Sequence, residues 1–255
     1  MKNIFWDLQS STTMQATFKP GLLLRRVIEA FKDFVPEANF ICDSNAISLQ
    51  AMDNAHVALV SLRLDEFESY ECKTSFPMGV NISHLYKVLK CMDAEDQLTL
   101  GADPIESFFD IEIVRANRSA YFKLHLVDLD TDQLNIPEQD YDCVVKLTAS
   151  EFKKICSDLS AFGDTITLGG MEEGFTFTAT GDTGEASITL KTPIEYCCQS
   201  EVFLTFPLRH LVGFTKATPL SEHVTLRMSA DSPLVVDYVF PEGQLKFYLS
   251  PKMND

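Results

Sequence analysis

The chain has 255 residues, 45% of them apolar, and a formal net charge of −16. This length fits one large globular domain or two smaller ones, and the apolar fraction is enough for a sizeable core. No apolar run reaches membrane-spanning length and the first residues lack a signal peptide's apolar stretch, so we expect a soluble protein. Seven scattered cysteines without a CxxC pair argue against a disulfide framework or a zinc site and indicate a reducing compartment.

Four short segments share a pattern of one apolar residue, any residue, a basic residue or His, and two apolar residues. The apolar positions fall at i, i+3 and i+4, which predicts the buried face of an amphipathic helix. The segments begin at Leu24, Leu85, Phe152 and Leu208. We expect Ser83 and Ser150 to be N-caps, while Pro20 and Pro207 fit helix starts.

A predicted strand follows each helix, at 40–42, 98–100, 166–168 and 224–226. Further strands are predicted at 46–49, 57–64, 109–114, 121–126, 174–179, 186–190 and 234–240. The helix-strand pattern occurs twice in each half, because Leu24 and Phe152 lie 128 positions apart and Leu85 and Leu208 lie 123 apart. This duplication predicts two similar α+β domains whose helices cover one face of antiparallel sheets.

Charge is distributed unevenly over this repeat. The helical segments 21–34, 82–91, 149–160 and 206–216 together carry +5, so the rest of the chain carries −21. The basic side chains are either the solvated faces of amphipathic helices or one surface that meets a polyanion. No zinc finger, recognition helix or aromatic-basic interleaving is present, so any DNA contact would be to phosphates and independent of base sequence.

The acidic segment between the halves, 127–140, contains a proline and has no sustained period, which predicts a linker. Its apolar residues Leu129, Leu134 and Ile136 are not needed for solvation, so we expect some of them to pack on a target.

The sequence carries no nucleotide-binding, P-loop, metalloprotease or serine-hydrolase motif, and its five histidines have no metal-ligand spacing. The cluster of Asp128, Asp130 and Asp132 lacks the glycine and the terminal glutamate of a calcium loop. We therefore expect a protein that is not an enzyme and has no catalytic residues, cofactor or metal. An enzyme of unknown chemistry is the alternative from another class.

Four long stretches resemble the proliferating cell nuclear antigen family of eukaryotic DNA sliding clamps. They are QAMDNAHVALVSL from Gln50, VDLDTDQLNIPEQDYDCVVKL from Val127, FTKATPLSEHVTLRMSADSPLVVDY from Phe214 and KFYLSPK from Lys246. The similarity runs from about Met14 to the C-terminus and includes irregular segments, which makes it specific.

The resemblance implies the α+β DNA clamp fold, with clamp domain 1 at 14–126, an interdomain connector at 127–141 and clamp domain 2 at 142–255. Residues 1–13 form an N-terminal extension. Three chains would join head to tail in a nuclear homotrimer, with helices lining a central hole and sheets outside. At the trimer interface, Phe122 would lie on the interface strand of the first domain and Cys91 near the opposing side. A subunit of a heterotrimeric, checkpoint-type clamp is the related alternative.

Two sets of site residues follow from the resemblance. Contacts to double-stranded DNA in the hole are expected from Arg25, Arg26, Lys32, Lys87, Lys90, Lys153, Lys154, Arg209, His210 and Lys216. A hydrophobic pocket would bind short motifs of DNA polymerases, the clamp loader, flap nucleases and ligase-type proteins, in which a glutamine precedes an aliphatic residue and two aromatics. The pocket residues would be Met52, His56, Val57, Leu59, Leu134, Ile136, Pro137, Pro233, Tyr248, Ser250, Pro251 and Lys252.

Three features depart from the family pattern. Glu172 stands where many members have the lysine used for ubiquitin attachment, so we expect that attachment to be absent or moved. Ser157 replaces a basic residue of the third helix. The connection at 191–199 is shorter than in typical relatives and carries Cys197 and Cys198.

Overall fold

The two halves of the chain have the same order of elements in the computed structural model, which describes residues 12–130, 136, 139–182 and 184–252. The first half contains helices α1 (Leu22–Phe31) and α2 (Ile82–Leu89). Its strands are β1 (Met14–Phe18), β2 (Glu37–Cys42), β3 (Ile47–Met52), β4 (Ala58–Leu64), β5 (Ser69–Cys72), β6 (Phe76–Asn81), β7 (Gln97–Ala102), β8 (Phe108–Arg115) and β9 (Arg118–His125).

The second half contains α3 (Ala149–Leu159) and α4 (Leu208–Phe214), which continues into a 3₁₀ helix (Thr215–Leu220). Its strands are β10 (Cys143–Thr148), β11 (Thr165–Met171), β12 (Gly174–Gly181), β13 (Gly184–Leu190), β14 (Glu195–Cys198), β15 (Val202–Pro207), β16 (His223–Met228), β17 (Leu234–Phe240) and β18 (Gly243–Leu249). Each strand and α-helix of the first half has a counterpart here, so the predicted internal duplication is confirmed.

Each half contributes one group of five strands and one group of four, all paired antiparallel. The five-stranded groups are β5-β1-β7-β8-β9 and β14-β10-β16-β17-β18, and the four-stranded groups are β4-β3-β2-β6 and β13-β12-β11-β15. Because β18 pairs with β4, one group from each half joins into a continuous nine-stranded sheet. The predicted α+β class with two similar domains is confirmed.

The helices pack side by side and bury one face each. In α1, Leu24, Val27, Ile28 and Phe31 are buried, at the spacing of an amphipathic helix. Helix α1 contacts α2, and both α1 and α3 contact the 3₁₀ helix. We refer to α1–α4 and the 3₁₀ helix together as the helical layer.

The N-caps of α2 and α3 differ from the prediction. The side-chain oxygens of Asn81 and Thr148 accept hydrogen bonds from backbone amides three residues further on, at 2.9 and 3.2 Å. Ser83 and Ser150 lie inside the first turns, so the expectation that they cap is wrong. An N-cap needs extended backbone, and here the last residue of the preceding strand supplies it.

All the predicted strand segments overlap observed strands, with small shifts in their ends. The sequence pattern missed seven further strands among the described residues, namely β1, β5, β6, β10, β14, β15 and β18. Strand β1 is buried at four of its five positions, and β6 contains a proline and a glycine. Neither shows the alternation by which a half-exposed strand is recognised.

The two halves meet along the β18–β4 seam, which pairs Gly243 with Leu64 at one end and Leu249 with Ala58 at the other. On the helical side of the seam, the rings of Phe214 and Phe247 stack at 4.3 Å between centroids. The Phe34 ring of the first half lies 5.3 Å from Phe214. The halves therefore share a core as well as a sheet.

A glycine at the start of β18 tests how closely this seam is packed. Gly243 has φ +156°, and a Cβ there would lie 2.0 Å from the carbonyl oxygen of Arg63 on β4. Gly243→Ala should lower the free energy of unfolding by about 2–4 kcal/mol, because backbone strain and steric overlap add. Chemical denaturation at fixed chain concentration measures the loss.

The matched control is Gly184→Ala. Gly184 has φ +136°, but a Cβ there would meet no atom within 4 Å among the described residues other than its chain neighbours. The free energy of unfolding of this variant should fall by about 1 kcal/mol, from backbone strain alone. Equal losses in the two variants would show that close approach across the seam contributes nothing.

Candidate functional site

The solvent-facing side of the helical layer is rich in basic side chains. Because apolar residues at i, i+3 and i+4 fix the buried face of each helix, the intervening basic positions project outward. The predicted DNA-contact residues that are exposed on this layer are Arg26, Lys87, Lys90, Lys153, Lys154, Arg209 and Lys216. Arg25 and Lys32 are half-buried.

Internal contacts already engage several of these cations. Asp33 forms ion pairs with both Lys32, at 2.6 Å, and Lys216. The hydrogen bond from Lys216, followed by that from Lys32, lowers the pKa of Asp33 below its ordinary value. The ammonium of Lys32 also lies 5.0 Å from the ring centroid of Tyr86. Both lysines therefore have an intramolecular anion with which a phosphate would compete.

Arg25 has a partly structural position. Its Nη1 donates a hydrogen bond to the carbonyl oxygen of Met92 at 3.3 Å, just beyond the end of α2. The guanidinium thereby links α1 to the end of α2, which also carries Lys87 and Lys90. Arg25 contributes charge to the helical layer and also holds α1 against the end of α2.

The structure corrects the prediction for His210, which is not a DNA-facing residue. Its side chain is 4% exposed and its Nε2 lies 3.5 Å from Oδ2 of Asp53 in the other half of the chain. The imidazole stacks on Phe34 at 5.9 Å between centroids. Burial lowers the pKa of His210, against the opposing effect of Asp53, so the ring is predominantly neutral at neutral pH.

Asp53 organises the turn between β3 and β4. Its Oδ1 accepts hydrogen bonds from the amides of Val57 and Ala58, both at 2.9 Å. Burial alone would raise the pKa of Asp53, but these two amides and His210 hold it below its ordinary value. The turn includes His56 in the left-handed conformation, with φ 54°. A single carboxylate thus connects helix α4 to this turn.

A cavity of about 360 Å³ opens where this turn meets the second half of the chain. Its walls come from the β3–β4 turn, the end of β18, the β16–β17 turn and the segment between β9 and β10. The lining residues are Met52, Val57, Ala58, Leu59, Ile136, Gln139, Tyr141, Asp231, Ser232, Pro233, Tyr248 and Ser250. Residues distant in sequence meet here because the seam brings β4 and β18 together.

Polar contacts fix the rim of the cavity. The amide of Ser250 donates to the carbonyl oxygen of Val57 at 3.0 Å, which joins the end of β18 to the β3–β4 turn. Nε2 of Gln139 donates to Oγ of Ser232 at 2.7 Å. Burial, followed by the nearby Tyr141, raises the pKa of Tyr248, so its hydroxyl is a neutral donor. The site combines an apolar floor with a few placed polar groups, as small-ligand and peptide sites do.

The cavity brings together seven of the predicted pocket residues, namely Met52, Val57, Leu59, Ile136, Pro233, Tyr248 and Ser250. The lining does not include His56, Pro251 or Lys252. The predicted residues Leu134 and Pro137 lie outside the described residues. The sequence reasoning missed Ala58, Gln139, Tyr141, Asp231 and Ser232.

The beginning of the interdomain segment lies along the four-stranded group of the first half. The amide of Val127 donates to the carbonyl oxygen of Gly79 on β6 at 2.9 Å. Nδ2 of Asn39 on β2 donates to the carbonyl oxygen of Leu129 at 2.9 Å. The segment runs from the end of β9 at His125 to the start of β10 at Cys143. These two hydrogen bonds hold its start against the sheet, and its Ile136 lines the cavity.

The two predicted interface residues lie near one sheet edge. Phe122 is half-buried on β9, the last strand of its five-stranded sheet. Cys91 is exposed two residues after the end of α2, and α2 contacts β9, so Cys91 lies near the same edge as Phe122 and not on an opposing side. In the second half of the chain, β13 is an edge strand of the four-stranded sheet.

Within the described ranges, no group of three or more His, Cys, Asp or Glu side chains is arranged to hold a metal ion. The helices of the described part of the chain are too short or too polar to cross a bilayer.

Two duplicated α+β units joined edge to edge, with a basic helical layer on one side, define a DNA clamp. Residues 13–134 match the N-terminal domain of proliferating cell nuclear antigen, and residues 135–253 match its C-terminal domain. The chain therefore belongs to the proliferating cell nuclear antigen family of DNA sliding clamps.

Proposed function

We propose that this protein is a homotrimeric clamp that encircles duplex DNA in the nucleus, acts as a polymerase processivity factor and tethers replication and repair proteins through the cavity. The observation that carries the proposal is the pairing of β18 with β4 inside the chain. No catalytic role is proposed, since family membership implies a scaffold.

The internal repeat supports head-to-tail assembly. In the duplicated order, β9 is the counterpart of β18, and β13 is the counterpart of β4. Strands β18 and β4 pair with each other, whereas β9 and β13 are sheet edges among the described residues. If β9 of one chain pairs with β13 of the next in the same way, every junction in the assembly becomes equivalent, and a heterologous contact of this kind forms a ring when its rotation closes.

The side chains of these two edges support the same pairing. Phe122 and Leu124 on β9, and Ala186 and Ile188 on β13, pack only partly against the core. Pairing the strands would bury this apolar surface and remove two exposed edges that otherwise invite aggregation. Three chains would supply six such units around the central hole.

Replacing Phe122 tests the ring. Light scattering should give a particle of three times the 28.6 kDa chain mass. Phe122→Ala should weaken assembly by about 2 kcal/mol, on the order of thirtyfold in the dissociation constant, because the interface would no longer contain this aromatic ring. The control is Phe203→Ala, which removes an aromatic side chain that is 53% exposed on β15, the opposite edge of the sheet that contains β13.

A wild-type chain that stays monomeric alone and assembles only with other clamp chains would contradict the homotrimer. That result would favour the heterotrimeric, checkpoint-type clamp instead. Equal weakening by both substitutions would place the interface elsewhere.

The helical layer is proposed to face DNA. Exposed cations on several helices would each make a weak phosphate contact, and such contacts permit sliding because none depends on base sequence. The strongly negative remainder of the chain would repel DNA from the outside of the ring. His210 is excluded from this set by its burial.

The triple variant Arg26→Ala, Lys87→Ala and Lys154→Ala should weaken binding to duplex DNA equally for different sequences. Its salt dependence should be shallower, by up to about one in slope for each phosphate that is no longer neutralised. The control replaces Lys19, Lys73 and Lys191 by alanine, which are exposed outside the helical layer. Fluorescence anisotropy over a salt series measures the affinity of each variant for duplex DNA and the salt dependence of that affinity. An unchanged slope in the helical variant would refute the assignment.

The cavity is proposed to bind partner motifs that present an aliphatic residue and an aromatic pair. An aromatic anchor in an apolar pocket at the domain junction is a common source of binding energy between proteins. Tyr248 on β18 and Ile136 in the interdomain segment both line the cavity.

Ile136→Ala and Tyr248→Ala should each weaken binding of a synthetic peptide with this motif by at least about tenfold, because each removes about 1.4 kcal/mol or more of binding free energy. Isothermal titration calorimetry gives the affinity, and light scattering checks that assembly is unchanged. The control Val239→Ala removes an apolar side chain that is 60% exposed outside the cavity. Peptide affinity that survives both cavity substitutions would show that the pocket assignment is wrong.

A further inference from the structure

Two cysteines face each other across neighbouring strands at one edge of the nine-stranded sheet. Strand β14 is the edge strand, and Cys198 on it is paired in register with Cys143 on β10. The adjacent amide of Gln199 donates to the carbonyl oxygen of Asp142 at 2.7 Å. Because hydrogen-bonded and non-hydrogen-bonded pairs alternate along an antiparallel ladder, Cys143 and Cys198 form a non-hydrogen-bonded pair.

That type of pair has the geometry that a disulfide needs. Residues in a non-hydrogen-bonded pair have Cα atoms about 4.5 Å apart, with their side chains closer than in the alternate pair. Disulfides span Cα separations of roughly 4.4–6.8 Å. The two cysteines can therefore be joined while the register of β10 and β14 is kept.

The internal repeat provides a comparison within the same molecule. In the first half, Cys72 on β5 occupies the position of Cys198, and its partner in register is Met14. The local structure is otherwise alike, since Sγ of Cys72 and of Cys198 each contacts the carbonyl oxygen two residues on, at 3.2 Å. The residue across the ladder is therefore a second cysteine for Cys198 but a methionine for Cys72.

The two thiols differ in access. Cys143 is fully buried, whereas Cys198 is half-buried on the edge strand. Burial, followed by the neighbouring Cys198, raises the pKa of Cys143 to about 12. A soluble oxidant therefore reaches Cys198 first, and Cys143 is positioned as the second sulfur.

We propose that Cys198 and Cys143 are an oxidation site that hydrogen peroxide converts into a reversible cross-strand disulfide. The Cys198 thiolate attacks one peroxide oxygen, the O–O bond breaks, and Cys198 becomes a sulfenic acid while hydroxide takes up a proton as water. The Cys143 sulfur then attacks the Cys198 sulfur, the S–O bond breaks, and the Cys143 proton leaves with the hydroxyl as a second water. Two thiols lose two electrons in total, and the peroxide is reduced to two waters.

The bond would anchor a short edge strand. The connection that follows β13 is held to β10 by the amide of Ile194, which donates to the carbonyl oxygen of Lys146 at 2.9 Å. A disulfide at Cys198 would tie the far end of β14 to the same strand. Because Cys198 is partly accessible on the edge strand, ordinary thiols should reduce the bond through its sulfur. The proposal does not depend on ring formation or on either binding site.

Mass spectrometry of the full chain tests the proposal. After treatment with hydrogen peroxide and blocking of remaining thiols with N-ethylmaleimide, digestion should yield one peptide pair joined through Cys143 and Cys198, lighter by two hydrogens. Dithiothreitol should restore both thiols. In Cys143→Ser, Cys198 should accumulate as a sulfenic acid that dimedone labels.

Two variants serve as controls and keep the test independent of any one substitution. Cys197→Ser should retain the bond, because Cys197 is exposed and strand alternation points it to the other face. Cys72→Ser should also retain it, since Cys72 faces Met14. Recovery of both wild-type thiols in free form, or a bond from Cys198 to Cys197 or to a second chain, would overturn the proposal.

Discussion

The antiparallel pairing of β18 with β4 is the contact on which the rest of the molecule depends. It fuses one sheet from each half into nine strands and brings Phe214 and Phe247 of the second half against Phe34 of the first. Backbone hydrogen bonds fix the register of the seam, and the aromatic cluster packs residues of both halves against it. The counterparts of β18 and β4 in the internal repeat, β9 and β13, remain edge strands in the described part of the chain.

The cavity is a product of the same seam. Its walls come from strand ends and turns of both halves, and the turn between β3 and β4 is shaped by Asp53. Because Asp53 also contacts His210 on α4, the helical layer and the cavity wall share a buried polar contact. Removing Asp53 would leave the imidazole of His210 and the amides of Val57 and Ala58 without this acceptor, and burying such unpaired groups costs more than the loss of an exposed ion pair.

The helical layer is less uniformly basic than its residue types suggest. Asp33 engages Lys32 and Lys216, and Arg25 is bound to the carbonyl of Met92. The fully outward cations are spread over all four α-helices, so the positive charge is distributed instead of concentrated. A distributed set of weak, salt-sensitive contacts suits a surface that holds DNA without fixing its register.

By itself the sequence determined the duplication, the positions of the four helices and the segregation of charge, because these follow from periodicity and from side-chain type. It also named seven of the residues that line the cavity, through resemblance in long irregular segments. Only the tertiary structure decided that His210 is buried, since its helical position falls where α4 meets Phe34 and Asp53 of the other half. The same holds for Gln139, Asp231 and the short or fully buried strands, and for the facing of Cys143 and Cys198. Register and packing between distant segments create these contacts, and no local pattern in the chain encodes them.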